Sequence, residues 1–299
     1  MSDLSSAPLN PMRVTNPKFV AALLALWFSL LLLSPDTLSN LFQYTVFSLL
    51  GVLGAIFANS TGAGGGVVFI PMFNQLEFTE QQAIATSFAI QCFGMTAGAL
   101  TWRFHYKLEK APAGFWPSFY QIITLSAVAS IAGLWAVYGL EIPPPASLSY
   151  SFSWFSFLLG LAIIYIAVVI KPKPIHQQVT TLDFVMIGLI SFFGGSITAW
   201  LSVGVGELIA IYLIIRRFDV NMAVAVAVIV SAITVWAAIW QHTLIEFNVY
   251  WQVVLFAGPG AILGGVLAKA IVAKMSAKRL KIFFAFWLLV IGGVGIGAA

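Results

Sequence analysis

Apolar stretches long enough to cross a lipid bilayer follow one another along almost the whole chain. A helix of about 20 mainly apolar residues spans the hydrocarbon core, and such stretches recur from Phe19 to Ala298. Only 8% of the residues are charged, against about a quarter in soluble domains. The sequence therefore predicts an all-α, polytopic integral membrane protein, with no room for a sizeable soluble domain or a nucleic-acid-binding face.

Two of the apolar runs, 62–74 and 204–215, are too short to cross the membrane and follow glycine-rich breaks. Each is predicted to be the second arm of an interrupted helical hairpin. The run 19–34 is expected to be a retained first helix, because no small-residue cleavage pattern follows it. The other runs are 41–58, 82–101, 115–139, 149–170, 183–202, 220–242, 249–272 and 280–298.

Lysine and arginine predict the orientation, because short cytoplasmic loops retain positive charge. One threading places all 14 of them on one side, with the N-terminus in the cytoplasm, the C-terminus outside and the chain in the inner (plasma) membrane. Each short arm then returns to the side that it left. The groups are Arg13 and Lys18; Arg103, Lys107 and Lys110; Lys171 and Lys173; Arg216 and Arg217; and Lys269, Lys274, Lys278, Arg279 and Lys281.

The two glycine-rich breaks align as an internal repeat. Residues 59–66 (NSTGAGGG) align with 201–208 (LSVGVGEL), and 78–85 (FTEQQAIA) align with 218–225 (FDVNMAVA). Each unit has an odd number of segments, so the units are predicted to be inverted, as in many secondary transporters. The predicted organisation is a cytoplasmic segment 1–18, a first transmembrane helix 19–34, a first repeat 35–170, a cytoplasmic linker 171–182 and a second repeat 183–299.

Unwound backbone inside a membrane must be buried in protein or line a cavity. The arm after each break presents free N–H groups and the positive end of a helix dipole, a combination that binds anions. The glycines alternatively serve close helix packing, the role expected for Gly51, Gly54, Gly264 and Gly265, and the hydroxyls beside the breaks alternatively cap helix ends. The predicted substrate-binding residues are Asn59, Ser60, Thr61, Gly62, Gly64, Gly65, Gly66, Thr86, Ser87, Gln91, Ser202, Gly204 and Gly206.

Glu207 is the ionisable residue that lies well inside an apolar run, and such residues are functional candidates in membrane proteins. One interpretation is that it caps its own helix. The other is that it exchanges a proton during transport and couples proton movement to anion movement.

Several further polar residues are candidates for lining the cavity, for metal binding or for catalysis. Ser196, Thr198, Ser231 and Thr234 are candidates for the cavity wall or for bonds between helices. Cys92 is expected to be a buried apolar side chain, and no cofactor, metal ligand or catalytic residue is predicted. His105 and His242 are interpreted as interfacial residues, and His176 as a loop residue.

The sequence resembles the TauE/SafE family of sulfite or organosulfonate exporters. The resemblance rests on Gly62-Ala-Gly-Gly-Gly66 running to Pro71, on Ala83-Ile-Ala-Thr-Ser87, and on a weaker second copy at Gly204, Gly206, Ala223 and Ala225. In that copy Glu207 and Leu208 stand where the family often has further glycines.

Together the residues and the resemblance predict a secondary transporter of small sulfur anions, with the anion held at two half-helix N-termini during alternating access. The expected partners are a small anion, the lipid bilayer, protons as coupling ion and a second copy in a homodimer. The alternatives are a membrane enzyme or assembly factor in sulfur metabolism, and a proton-coupled importer of small carboxylates.

Overall fold

The computed structural model describes residues 25, 27–32, 37–76, 78–108, 118–169, 179–274 and 277–298. Its helices are α1 (Thr37–Tyr44), α2 (Val46–Thr61), α3 (Gly66–Gln75), α4 (Glu80–Leu108), α5 (Phe119–Gly139), α6 (Leu148–Val169), α7 (Thr181–Leu201), α8 (Val205–Ile215), α9 (Val220–Trp240), α10 (Trp251–Lys274) and α11 (Ala277–Ala298). A π-helical turn, Gln241–Ile245, follows α9. The predicted segment 1–18, most of the predicted helix 19–34, Lys110, Lys171, Lys173 and His176 lie outside the described residues.

Seven spans within the described ranges are long and apolar enough to cross a membrane. Their outer surfaces carry large apolar side chains, such as Val128 and Trp240, which are 65% and 53% exposed. Exposed apolar area on this scale needs an apolar surrounding, which lipid supplies. The predicted all-α polytopic membrane protein is confirmed, and the short arms α3 and α8 have 10 and 11 residues.

Both short arms fold back along the helix that precedes them. In the second hairpin, Arg216 after the end of α8 forms an ion pair of 2.7 Å with Asp183 in the first turn of α7. In the first hairpin, the rings of Tyr44, before α2, and Phe78, after α3, both contact Tyr250, with centroids 6.1 and 5.2 Å away. Each arm thus returns to the side on which its hairpin began.

Ten of the described helices form two consecutive sets of five, α2–α6 and α7–α11. Helices of one set pack on helices of the other. The first helix of each set packs on the fourth of the other, as α2 on α10 and α7 on α5. The third helices α4 and α9 pack on each other, as do the fifth helices α6 and α11. This pairing is what two equivalent repeats would make, and their inverted orientation stays a prediction.

Glycines bring the paired backbones into contact. A Cβ on Gly51 would collide with the carbonyl of Ala257, and one on Gly264 with the carbonyl of Val52, so α2 and α10 approach at backbone distance. The predicted packing role of these glycines is confirmed. Gly54 packs on the side-chain ring of Phe69, and Gly265 packs on the backbone carbonyl of Gly94.

Candidate functional site

Both glycine-rich segments interrupt the helix, as the sequence predicts. The first break follows Gly62, whose φ of 83° is left-handed and whose N–H donates to the carbonyl of Ala58 at 3.0 Å. The second follows Ser202, which takes the same left-handed position with a φ of 59°. Gly204, with a φ of 147°, then starts α8. Glycine has no Cβ to clash in this region of backbone space, so it suits such turns.

The two breaks touch each other. A Cβ on Gly66 would lie 2.5 Å from the carbonyl oxygen of Ser202, and a Cβ on Gly206 would collide with the carbonyl of Gly62. The segments are therefore packed at backbone distance, and the N-termini of α3 and α8 meet. This arrangement confirms the predicted convergence of the two interruptions.

The carboxylate of Glu207 joins the two breaks. Its Oε2 accepts the N–H of Gly204 at 2.9 Å, which caps its own helix α8. Its Oε1 accepts the N–H of Gly64 from the other break at 2.7 Å. The residue is buried, with 3% of its surface exposed. The carboxyl group of Glu207 thus lies between the positive ends of two helices, where both dipoles favour its ionised form.

Gln91 of α4 fastens the same two segments from one side. Its Oε1 accepts the N–H of Gly65 at 2.8 Å, and its Nε2 donates to the carbonyl of Ser202 at 3.0 Å. The hydroxyl of Ser202 donates to that of Ser87 at 3.0 Å. Since all four residues are buried, these bonds satisfy backbone groups that the breaks leave without helical partners.

Two hydroxyls predicted as possible cavity residues lie beside the second break. Thr198 accepts the N–H of Val205 at 3.0 Å and so caps the start of α8. The hydroxyl oxygen of Ser231 lies so close to Gly206 that a Cβ on this glycine would collide with it. This buried hydroxyl has no hydrogen-bond partner among the described residues. An unused donor therefore faces the second break. Ser196 and Thr234 bond elsewhere, Ser196 to the carbonyl of Gly133 and Thr234 to the hydroxyl of Ser130.

Other predicted binding residues lie away from the two N-termini. The amide of Asn59 donates to the carbonyls of Ala55 and Gly94 and fastens α2 to α4. Thr86 accepts the N–H of Tyr250. Thr61 donates to the carbonyl of Phe57 within its own helix and accepts the N–H of Ala63 just past the end of that helix. Their part in substrate binding stays a prediction.

A cleft has Glu207 in its wall. Ser60 and Thr61 form one part of its wall, and Ile214, Val220 and Asn221 lie at the end near Arg216. The rest of its described lining is aliphatic or aromatic, and Glu207 is the charged residue among the lining residues. The carboxylate therefore lies in the wall of an otherwise mainly apolar cleft that extends along α8 toward Arg216.

The interfacial interpretation of two histidines is wrong, because both side chains are buried in the protein. His242 contacts Glu246 through Nδ1 at 2.9 Å and Tyr138 through Nε2 at 3.1 Å. The hydrogen bond with His242 lowers the pKa of the Glu246 carboxyl to about 2. The spacing of four residues between His242 and Glu246 was a usable signal in the sequence. His105 packs edge-on against Trp102, with ring centroids 5.9 Å apart.

Cys92 is buried and unpaired, as predicted. Its Sγ lies 3.7 Å from the carbonyl oxygen of Val235. Among the described residues there is no group of three His, Cys, Asp or Glu side chains that could hold a metal ion.

These features define the class of the protein: a polytopic helical membrane protein built around two broken helices that meet at their N-termini. The family described as "Sulfite exporter TauE/SafE" matches residues 47–294. The chain belongs to this family, which is one of membrane transporters for sulfur anions. No curated protein and no solved structure matches this chain.

Proposed function

We propose that this protein moves a small sulfur oxyanion, sulfite or an organosulfonate, across the inner membrane by alternating access. The N-terminus lies in the cytoplasm in this proposal, because the basic groups then fall on the cytoplasmic side. At a membrane potential of about 100 mV, negative inside, export of one negative charge gains roughly 2.3 kcal/mol. Export of the anion alone therefore needs no coupling ion and its uptake needs one, whereas a proton that moves together with a singly charged anion cancels this gain.

The observation that carries the proposal is the position of the Glu207 carboxylate. It accepts one N–H from each break, at 2.7 and 2.9 Å. A sulfite or sulfonate group offers oxygens of similar charge and spacing, and amides at helix N-termini bind such anions well. The carboxylate thus marks an anion site that the chain fills with its own side chain.

Substrate and the Glu207 carboxylate compete for these amides. Protonation of Glu207 removes its charge and weakens its hold on Gly64 and Gly204, since bonds to ionised acceptors are about twice as strong as neutral ones. Anion binding then favours the protonated residue and protonation favours the bound anion, because coupling between two sites is reciprocal. The anion and a proton bind together in this scheme.

The helix pairing supports a rocking movement. The breaks belong to different five-helix sets and touch each other, so a site between them opens when one set tilts against the other. The cleft beside Glu207 supplies the passage from the side of Arg216.

The test is counterflow of labelled methanesulfonate into liposomes containing the purified protein, from mildly acidic to mildly alkaline pH. Methanesulfonate remains singly charged over this range, so a pH effect belongs to the protein. For the wild type we expect counterflow to weaken as pH rises, because deprotonated Glu207 occupies the amides. Glu207→Gln should exchange the anion at all these pH values, with the pH dependence lost.

The matched control is Glu141→Gln, which removes an exposed carboxylate in the turn after α5 and should leave the pH profile unchanged. Retention of the wild-type profile by Glu207→Gln would refute the competition between carboxylate and substrate. Failure of the wild type to exchange any sulfur anion would refute the transport proposal.

A second candidate, a proton-coupled importer of small carboxylates, has one observation in its favour. The group that joins the two breaks is itself a carboxylate. Thermal stabilisation by sulfite, methanesulfonate, thiosulfate, sulfate and acetate separates the two, because a ligand stabilises the state to which it binds. Stabilisation by acetate but by none of the sulfur anions would favour the carboxylate importer.

A further inference from the structure

A buried lysine without a counter-ion lies close to the first break. Lys269, near the end of α10, is only 9% exposed. Its Nζ has no hydrogen-bond partner within the described ranges of the chain. The sequence predicts Lys269 as one of the basic residues that flank the last cytoplasmic loop. The structure instead places its ammonium group inside the protein.

The face of one aromatic ring lies near this ammonium. Nζ lies 5.9 Å from the centroid of the Trp102 ring, a distance at which the ring face attracts a cation. His105 stands edge-on to the same ring. The attraction to the ring offsets part of the desolvation cost, but an ammonium group has three N–H donors and a ring face replaces none of their acceptors. Among the described residues the three donors of Lys269 therefore lack acceptors.

Two contacts connect Lys269 to the candidate anion site. The indole N–H of Trp102 donates to the carbonyl of Asn59 at 3.1 Å, three residues before Gly62. The carbonyl of Ala268, the neighbour of Lys269, lies 3.4 Å from the hydroxyl of Ser60. Ser60 in turn lines the cleft that has Glu207 in its wall. The ring that faces the ammonium and the residue next to Lys269 therefore both contact the end of α2, whose Ser60 lines the cleft.

We propose that Lys269 is a second anion-binding residue, which pairs with the substrate oxyanion on its way between the basic side of the membrane and the amides of Gly64 and Gly204. The proposal rests on the anion transport proposed above. Charged residues within a membrane mark ion pathways, and an ammonium that lacks a protein counter-ion favours an anionic ligand. The ligand it fits is a small oxyanion with two or more free oxygens, such as a sulfonate or sulfite.

Lys269 and Glu207 then have complementary parts. Lys269 supplies a positive charge that no carboxylate among the described residues neutralises, while Glu207 supplies the negative charge that the substrate replaces. An electrically neutral analogue of the substrate, such as dimethyl sulfone, gains nothing from the ammonium. Selection of anions over neutral molecules of the same shape is therefore the role of Lys269.

The test measures methanesulfonate transport from the face that carries Arg216, in liposomes with the protein in known orientation. Lys269→Met should raise KM at that face about tenfold, the loss expected for one charge-assisted hydrogen bond. Lys269→Arg keeps the charge and should stay within about threefold of the wild type. Arg103→Met removes an exposed charge beside Trp102 and should leave KM unchanged.

Thermal unfolding separates binding from a structural role. Lys269→Met removes a buried unpaired charge, so without ligand it should unfold at the same temperature as the wild type or higher. Its stabilisation by methanesulfonate should be lost, whereas the wild type and Arg103→Met keep it. Lys269→Gln, which retains polar hydrogens without charge, gives the same comparison if the methionine variant does not fold.

A wild-type KM in Lys269→Met, or undiminished stabilisation by methanesulfonate, would overturn the role of Lys269 while leaving anion transport intact. Absence of exchange by the wild type itself would instead overturn the proposed function and this inference with it. The two failures are therefore distinguishable in one set of liposomes.

Discussion

The two helix breaks occupy equivalent places in the two sets of helices, yet they contribute different groups. The first break is glycine from Gly64 to Gly66, and its N–H groups find acceptors on other elements, Gln91 and Glu207. The second break carries its own acceptor, because Glu207 caps the helix that it begins. One break thus offers bare amides and the other offers an anion for them.

The comparison explains why the second copy of the motif departs from the first. A repeat with glycine in both copies would leave two sets of amides open to any anion. Glu207 replaces one of these glycines and satisfies a donor from each copy. The departure therefore supplies the side chain that joins the two breaks, and the following substitutions test how far the breaks differ.

The largest effect is expected where the breaks touch. Gly66→Ala places a Cβ 2.5 Å from the carbonyl oxygen of Ser202, and backbone cannot move aside cheaply. We expect a loss of about 3 kcal/mol in the free energy of unfolding, measured by thermal unfolding in detergent. Gly293→Ala, on α11 with no atom within 4 Å of the added carbon, is the control and should not destabilise. Equal stability of the two variants would show that the breaks are not in contact.

A smaller effect is expected where one side chain serves both breaks. Gln91→Leu leaves the N–H of Gly65 without its acceptor and the carbonyl of Ser202 without its donor. Because buried polar groups without partners are costly, we expect a loss of about 2 kcal/mol in the free energy of unfolding. Gln252→Leu, an exposed position on α10, controls for the change of residue type. A neutral Gln91→Leu would mean that the breaks hold together without this amide.

The smallest effect concerns the left-handed residue that starts each break, glycine in the first and serine in the second. Ser202→Ala loses the bond to Ser87 and keeps the strained φ of 59°, so we expect a loss of about 1 kcal/mol. Ser202→Gly loses the same hydroxyl but relieves about 1 kcal/mol of strain, so its stability should match the wild type.

Ser118 provides the comparison for this pair of variants. It has a φ of 65° before α5, and its side chain makes no cap to that helix. Ser118→Gly should therefore gain about 1 kcal/mol from relief of strain. If Ser202→Gly gains as much as Ser118→Gly in thermal unfolding, the hydroxyl of Ser202 contributes nothing to the join between the breaks.

The sequence predicts the breaks well because their signals are local. Three consecutive glycines before a short apolar run, and a carboxylate in the first turn of α8, indicate an interrupted helix and its cap from neighbouring residues alone. That Glu207 also reaches Gly64 depends on how two distant hairpins dock, and no residue near either break indicates it. The sequence therefore predicts the two components but not the bond between them.

Lys269 and His242 show the limits of the same approach at the ends of helices. Both lie at the end of an apolar run, where solvent and protein interior are equally compatible with the pattern. Burial of Lys269 is decided by the packing of α10 against Trp102. Burial of His242 follows from the π-helical turn that carries the chain past the end of α9 to Glu246.

The ion pair between Asp183 and Arg216 has a mechanical consequence. It fastens the start of α7 to the end of α8, and the hydroxyl of Tyr212 donates to the same carboxylate at 2.7 Å. The two arms of the second hairpin are thus joined at the end opposite the break. A displacement of α8 that keeps this ion pair and the Tyr212 bond carries the start of α7 with it.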